Sequence, residues 1–220
     1  MAGTGYRAQI PALRPRVRRF AGRGSLRFPT LALALTLTPT LLLTHHSSFM
    51  DQRITPLAGQ FTVGTNLVRR ALADVEEAAL YRQPGPHSNP MLWMAGHLTQ
   101  FRARIVRVLG SERLVPWEEL FRTGSRLHEP SAYPRIAEIE ALWGELSEEL
   151  IGRLEALTAA ELDAEPRVRV PSTDGTVAGA LALFAFHEGY HVGQLGYLRR
   201  WLDYSSLFED DGAAAARGKL

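Results

Sequence analysis

The chain has 220 residues, room for one domain with an appendage, and no cysteine. The lack of thiols excludes disulfides and every thiolate metal site, so any metal must be held by His, Asp or Glu. The formal charge of +2 hides an asymmetry: residues 1–50 carry seven Arg and no acid, and 51–220 carry the other 18 Lys and Arg against all 23 acids. Basic character thus belongs to the leader and not to a face of the folded part, which excludes a nucleic-acid-binding reading.

The leader, residues 1–50, is rich in Arg and Pro as far as Pro29 and then runs apolar from Leu31 to Leu43. A bilayer span needs about twenty apolar residues, and this run is shorter and broken by Pro39, so no stable membrane span is expected. Three readings stay open. The true start is Met50 and 1–49 an over-extended gene start; or the segment is an export signal, with Arg18-Arg19-Phe20 of twin-Arg type; or it is an unstructured extension. Against export, Thr44-His45-His46-Ser47-Ser48 offers no small-x-small cleavage site. The protein is expected in the cytoplasm unless 1–50 is a genuine signal.

From Asp51 onward the hydrophobic period is helical. Leu57, Phe61, Val68, Leu72, Val75 and Ala79 mark a first helix, stopped by Gln83-Pro84-Gly85-Pro86. Asn89 suits a helix cap and Pro90 a first helical position. The second helix carries Leu92, Trp93, His97, Phe101, Ile105 and Val108 and stops at Gly110. A long irregular connection follows, from Ser111 to about Ala132. Pro134 then opens a third helix, whose apolar positions from Ile136 to Leu157 recur every three or four residues. A turn-rich stretch with a short extended piece at Val168-Arg169-Val170 leads to the fourth helix, Thr176 to Trp201, with Leu181, Phe184, Ala185, Leu195, Leu198 and Leu202 inward. These features predict an all-α protein: one four-helix bundle over 51–205, with a flexible tail over 206–220. Four glycines in the fourth helix, at 179, 189, 193 and 196, each cost about 1 kcal/mol against Ala, and predict close backbone approach or room for a bound group.

The chemistry lies in His187-Glu188-Gly189-Tyr190-His191. Imidazoles four apart project from one helix face and supply half of a tetrahedral metal site. Of the other histidines, 45 and 46 lie in the leader, His87 in a turn and His128 in the long connection. His97 alone sits on an apolar stripe, one turn after Trp93 and one before Phe101. Three imidazoles meeting in a bundle core are costly to bury unless something accepts their lone pairs, and a divalent cation does so. His97, His187 and His191 are therefore the candidate metal ligands. Glu188 and Gln194 are the candidate catalytic residues: the carboxylate as a base or as a partner to a ligand imidazole, the amide as a hydrogen-bonding group near bound water.

Trp93-Met94-Ala95-Gly96-His97-Leu98 in the second helix, together with His187-Glu188-Gly189-Tyr190-His191-Val192-Gly193-Gln194-Leu195 in the fourth, resembles the DinB-like family of four-helix-bundle metalloproteins. The resemblance covers roughly 51–205. It implies a histidine triad holding Zn, Ni, Mn or Fe with open coordination positions, and a homodimer. It also implies thiol-dependent transfer or isomerisation with a low-molecular-weight thiol. Independently of the resemblance, a water or thiol deprotonated at an open metal position fits thiol transfer or hydrolysis on a small-molecule substrate. Two other readings use the same residues. His187-Glu188-x-x-His191 fits the zinc metalloprotease pattern with Glu188 as base, although no strand offers an edge for a peptide. Alternatively the metal is a staple between two helices, with Glu188, Gln194 or Glu77 closing its coordination and no catalysis.

Overall fold

Among the described residues the periodicity resolves into six α-helices: α1 (Thr55–Leu72), α2 (Glu77–Leu80), α3 (Met91–Val108), α4 (Ile136–Ala156), α5 (Ala159–Asp163) and α6 (Val177–Trp201). Two 3-10 turns, Glu118–Phe121 and Pro130–Ala132, lie between α3 and α4. The computed structural model describes residues 50–208. The readings of 1–50 as a leader and 206–220 as a tail fall outside that span, except for Met50 and residues 206–208. Among the described residues there is no strand, and Val168-Arg169-Val170 is bend and coil.

The four long helices pack in a ring in which α3 adjoins α4 and α6, and α1 adjoins the same two. Helices α1 and α3 thus stand on one diagonal and α4 and α6 on the other. The 73–90 and 157–176 connections cross the bundle ends along those diagonals and carry the short helices α2 and α5. The 109–135 connection joins adjacent helices and covers α3 instead, setting Val115, Phe121 and Tyr133 into the core. That cover explains why α3 is buried on most of its surface.

Local chemistry moves several expected boundaries. The first helix does not continue to Ala79. Asp74 takes a left-handed conformation at φ 58° and ends α1 two residues after Leu72. Arg199, from α6, then donates to the freed carbonyls of Ala71 at 3.1 Å and Ala73 at 2.8 Å, and pairs with the Asp74 carboxylate at 3.0 Å. A guanidinium aimed at a helix C-terminus satisfies orphan carbonyls and complements the dipole. Pro90 is extended at φ −72°, ψ 165° and flanks α3 as its N-cap, so the helix begins one residue later than expected. Helix α4 begins at Ile136 beyond an extended Arg135, whose N–H is taken by Glu138 at 3.0 Å. Helix α6 starts as read: the Thr176 hydroxyl accepts the Gly179 N–H at 3.0 Å.

No described helix is long and apolar enough to cross a membrane.

Candidate metal centre

His97 lies at the middle of α3, and His187 and His191 lie one turn apart on α6, the neighbouring helix. One ring nitrogen from each can be chosen so that all three lie within 4.8 Å of one another. The Nε2 atoms of His187 and His191 stand 3.1 Å apart. Bonds of about 2.1 Å to a tetrahedral cation put ligand nitrogens about 3.4 Å apart, so this pair already has the spacing of a chelate.

Each ring is held from behind. The Nδ1–H of His97 donates to the Phe121 carbonyl at 2.7 Å, which leaves its Nε2 bare. His191 donates from Nδ1 to Gln194 Oε1 at 2.6 Å, with the same result. A hydrogen bond at one imidazole nitrogen fixes the tautomer and makes the other a better donor to a metal. His187 lies flat on the Phe101 ring at 3.8 Å between centroids. His97 stacks on Trp93 at 4.8 Å and leans on Phe101 at 4.7 Å. This aromatic packing limits ring rotation and keeps water away from the inner side.

Burial pushes the His97 pKa down to about 4, against a smaller opposing effect of its hydrogen bond to Phe121. It pushes His187 down to about 3, helped by the neighbouring imidazoles. His191 is lowered too, again chiefly by burial. All three rings are therefore neutral at pH 7, the protonation state a cation requires.

Gly96 explains the residue preceding the first ligand. The Phe121 ring covers its Cα, and a Cβ at that position would overlap the ring. Only glycine there lets the connection descend far enough for the Phe121 carbonyl to meet His97.

A cavity of about 370 Å³ opens beside His187, walled by Phe101, Arg104, Leu183, Phe186 and Tyr190. Thr123 and Pro171 add to its wall, one from the 109–135 connection and one from the 157–176 connection. A larger groove of about 860 Å³ between α1 and α6 contains none of the three imidazoles.

The family model for the DinB superfamily matches residues 60–195, which contain all three histidines. The chain belongs to the DinB superfamily. No curated protein matches its sequence.

Within this DinB bundle Glu188 and Gln194 each hold another side chain in place, Glu188 Arg102 and Gln194 His191. The Glu188 carboxylate faces Arg102, not an open site: Arg102 donates from Nε to one oxygen at 3.0 Å and from Nη2 to the other at 2.6 Å. Both oxygens are thus engaged, and the side chain is 6% exposed. The metalloprotease pattern needs that carboxylate free to hold a proton, so the geometry does not support it. Gln194 holds a ligand imidazole, and its amide donates to the Tyr190 hydroxyl at 3.1 Å.

Two elements of the site escaped the sequence reading. Arg102 follows Leu98 by four and precedes Ile105 by three, so it lies on the buried stripe of α3; an arginine at that phase was the available signal. The Phe121 carbonyl had none, because any residue type provides a carbonyl. The glycines of α6 were read too generally. Gly179 and Gly196 are approached closely by side chains, whereas Gly189 and Gly193 face open space.

Proposed function

We propose that this DinB protein holds a divalent first-row cation on His97, His187 and His191 and uses it on a small molecule admitted through the cavity beside His187. The observation that supports this best is the convergence of three neutral ring nitrogens, two of them tied back at Nδ1. Three nitrogens without an anionic ligand leave a cation its full charge, suited to Zn, Ni, Mn or Fe. The bound cation supplies a positive charge that stabilises the anion of a thiol or of water near neutral pH.

The chain's own residues supply the rest. Trp93 and Phe101 hold the rings and exclude water from their inner side. The apolar cavity wall accepts the body of the substrate, and Arg104 offers it one cation. The Gln194 amide donates to the Tyr190 oxygen, leaving the phenolic hydrogen to be donated to an incoming group at the cavity rim. Transfer to a low-molecular-weight thiol and hydrolysis both fit this arrangement.

The staple reading needs a fourth protein ligand. Among the described residues, no carboxylate or further imidazole joins the cluster. Glu188 is committed to Arg102 and Gln194 to His191, and Glu77 lines a separate hollow with Tyr81 and Tyr133. An open position, and hence chemistry, is the better-supported reading.

The outer faces of α1 and α6 expose Val63, Phe186 and Tyr190 along the larger groove, which supports a homodimer closing over it. Light scattering on the purified protein tests that point.

Elemental analysis of the protein purified from its own host, alongside H97A, H187A and H191A, tests the metal reading. Wild type is expected to carry close to one cation per chain and each variant to lose it. Equal metal content in all four would overturn the site. A screen of thiol-transfer and hydrolysis substrates on the metal-loaded protein then separates the two reactions.

A further inference from the structure

Helix α6 has an ambiguous face. Its buried residues include Leu181, Ala185, Val192 and Leu195, yet Phe186, Tyr190 and Tyr197 stand exposed on other sides at 72%, 57% and 63%. Apolar side chains thus surround the helix, and hydrophobic burial alone does not set which side turns inward. The metal site demands a definite side. An α-helix advances 100° per residue, and a rotation of about 20° sweeps an imidazole some 7 Å from the axis through roughly 2 Å. That is about the length of a metal–nitrogen bond.

Glu188 is the one Asp, Glu, Lys or Arg in α6 before Arg199, and it points inward, 5% exposed. It sits between the two histidines in sequence. Its partner Arg102 lies on α3, five residues after His97, and is fully buried. All five guanidinium hydrogens are used. Nε and Nη2 reach the two oxygens of Glu188; Nη1 reaches Thr65 Oγ1 at 3.0 Å and Ser147 Oγ at 3.1 Å; and Nη2 also reaches the Phe61 carbonyl at 3.4 Å. The Trp143 ring stacks on the same group at 4.1 Å. One side chain of α3 therefore binds α1, α4 and α6 at once. The supporting hydroxyls are themselves oriented, Thr65 donating to Phe61 O at 2.8 Å and Ser147 to Trp143 O at 2.6 Å. Gly64 on α1 leaves room for the carboxylate, since a Cβ there would overlap Glu188 Oε1.

We infer that Arg102 and Glu188 are positioning residues for the histidine site: their buried bidentate pair sets the rotation of α6 against α3 and so aims His187 and His191 at His97. The inference rests on the metal reading above. A buried ion pair is weak evidence for stability, because well-packed apolar residues of similar volume often serve as well or better. Its attested use is to specify one arrangement among several that apolar packing would accept.

The test separates these roles. The double variant R102M/E188L removes both charges, and the Thr65 and Ser147 hydroxyls keep their bonds to their own helices. It is expected to unfold cooperatively in urea with a midpoint equal to or above wild type. Its affinity for Co(II), measured by competition with a chromophoric chelator, is expected to fall about tenfold or more, the scale seen when groups that orient ligands are lost. The Co(II) ligand-field spectrum, which reports coordination geometry, is expected to change as well. E188Q, which keeps the shape and one acceptor for Arg102, is expected to lie between the double variant and wild type in both readouts. Wild-type affinity and spectrum in a folded double variant would overturn the inference. If the double variant loses cooperative unfolding, E188Q decides: a weakened site with a shifted spectrum supports the pair's role, and an unchanged one removes it. Failure of the metal reading itself looks different, since wild type would then bind no Co(II) that H97A lacks.

Discussion

The Nδ1 of His97 lies 2.7 Å from the carbonyl oxygen of Phe121, 24 residues further along the chain. The bond joins a core helix to the connection that covers it. It makes that connection part of the candidate metal site through its backbone. Phe121 is anchored for this purpose: its ring is fully buried, stacks on Tyr133 at 5.4 Å and closes over Gly96.

Gly96→Ala tests the anchor. The added methyl cannot coexist with the Phe121 ring, so the connection must lift and carry its carbonyl away from His97. Overpacking of this kind costs about 1–3 kcal/mol. Release of the imidazole is expected to lower metal affinity about tenfold to a hundredfold. Urea denaturation reads the first effect and a zinc titration the second. A variant with wild-type affinity would show that the carbonyl does not orient the ring.

Gln194→Leu tests the other tether. Gln194 is only partly buried, so stability is expected to move by less than about 1 kcal/mol. Loss of the acceptor at 2.6 Å frees His191 to flip or change tautomer, and affinity is expected to fall about tenfold or more. Gln194→Glu keeps an acceptor in place and is expected to restore most of it. Equal affinity in wild type and Gln194→Leu would reduce the amide to a surface group.

The bundle and the histidine triad were legible because both rest on short-range rules. Apolar positions every three or four residues specify four amphipathic helices, and His187 and His191 share a face whatever the rest of the chain does. His97 could be placed because it was the one remaining histidine on an apolar stripe. What could not be read depended on tertiary contact. The charge of Glu188 suggested a base, but its position between Ala185 and Val192 on the inward stripe committed it to Arg102. The end of α1 depended on Arg199, more than a hundred residues away in sequence, meeting carbonyls that any sequence would present. Periodicity carried the expected helix past that point because Val75 and Ala79 continue the pattern on a separate turn.

Arg199→Met tests that junction. The guanidinium is 3% exposed and serves Ala71 O, Ala73 O, Asp74 and Ser205. Its removal leaves the buried Ala71 carbonyl and the partly buried carbonyls of Ala73 and Ser205 without this donor, and a loss of about 2–4 kcal/mol is expected by urea denaturation. Asp74→Gly is expected to change stability by less than about 1 kcal/mol, because glycine relieves the left-handed strain while giving up one exposed ion-pair partner. Metal content should be unchanged in both. If Arg199→Met cost no more than Asp74→Gly, the α1 terminus would not depend on this contact.

The connection that carries Phe121 has its own electrostatic clasp, and this gives a pH dependence. Arg107 on α3 donates from Nη1 and Nη2 to the two oxygens of Glu118 at 3.2 and 3.0 Å, at the start of the 3-10 turn that ends in Phe121. Those hydrogen bonds hold the Glu118 pKa below its ordinary value of 4.5, outweighing partial burial. A carboxyl whose folded pKa is depressed stabilises the fold above its unfolded value. That contribution is lost as pH falls through the folded one, because the unfolded chain then binds the proton more readily. The pair is partly exposed, with side chains 21% and 33% accessible, so its worth is no more than about 1 kcal/mol. Stability of wild type relative to Glu118→Gln is therefore expected to be constant from pH 7 to about 5 and to vanish at more acid pH. Urea midpoints across that range measure the difference. The turn also carries the carbonyl bonded to His97, so the variant is expected to bind metal somewhat more weakly at pH 7 as well. A stability difference that persisted unchanged at the acid end would show that Glu118 acts by packing and not by charge.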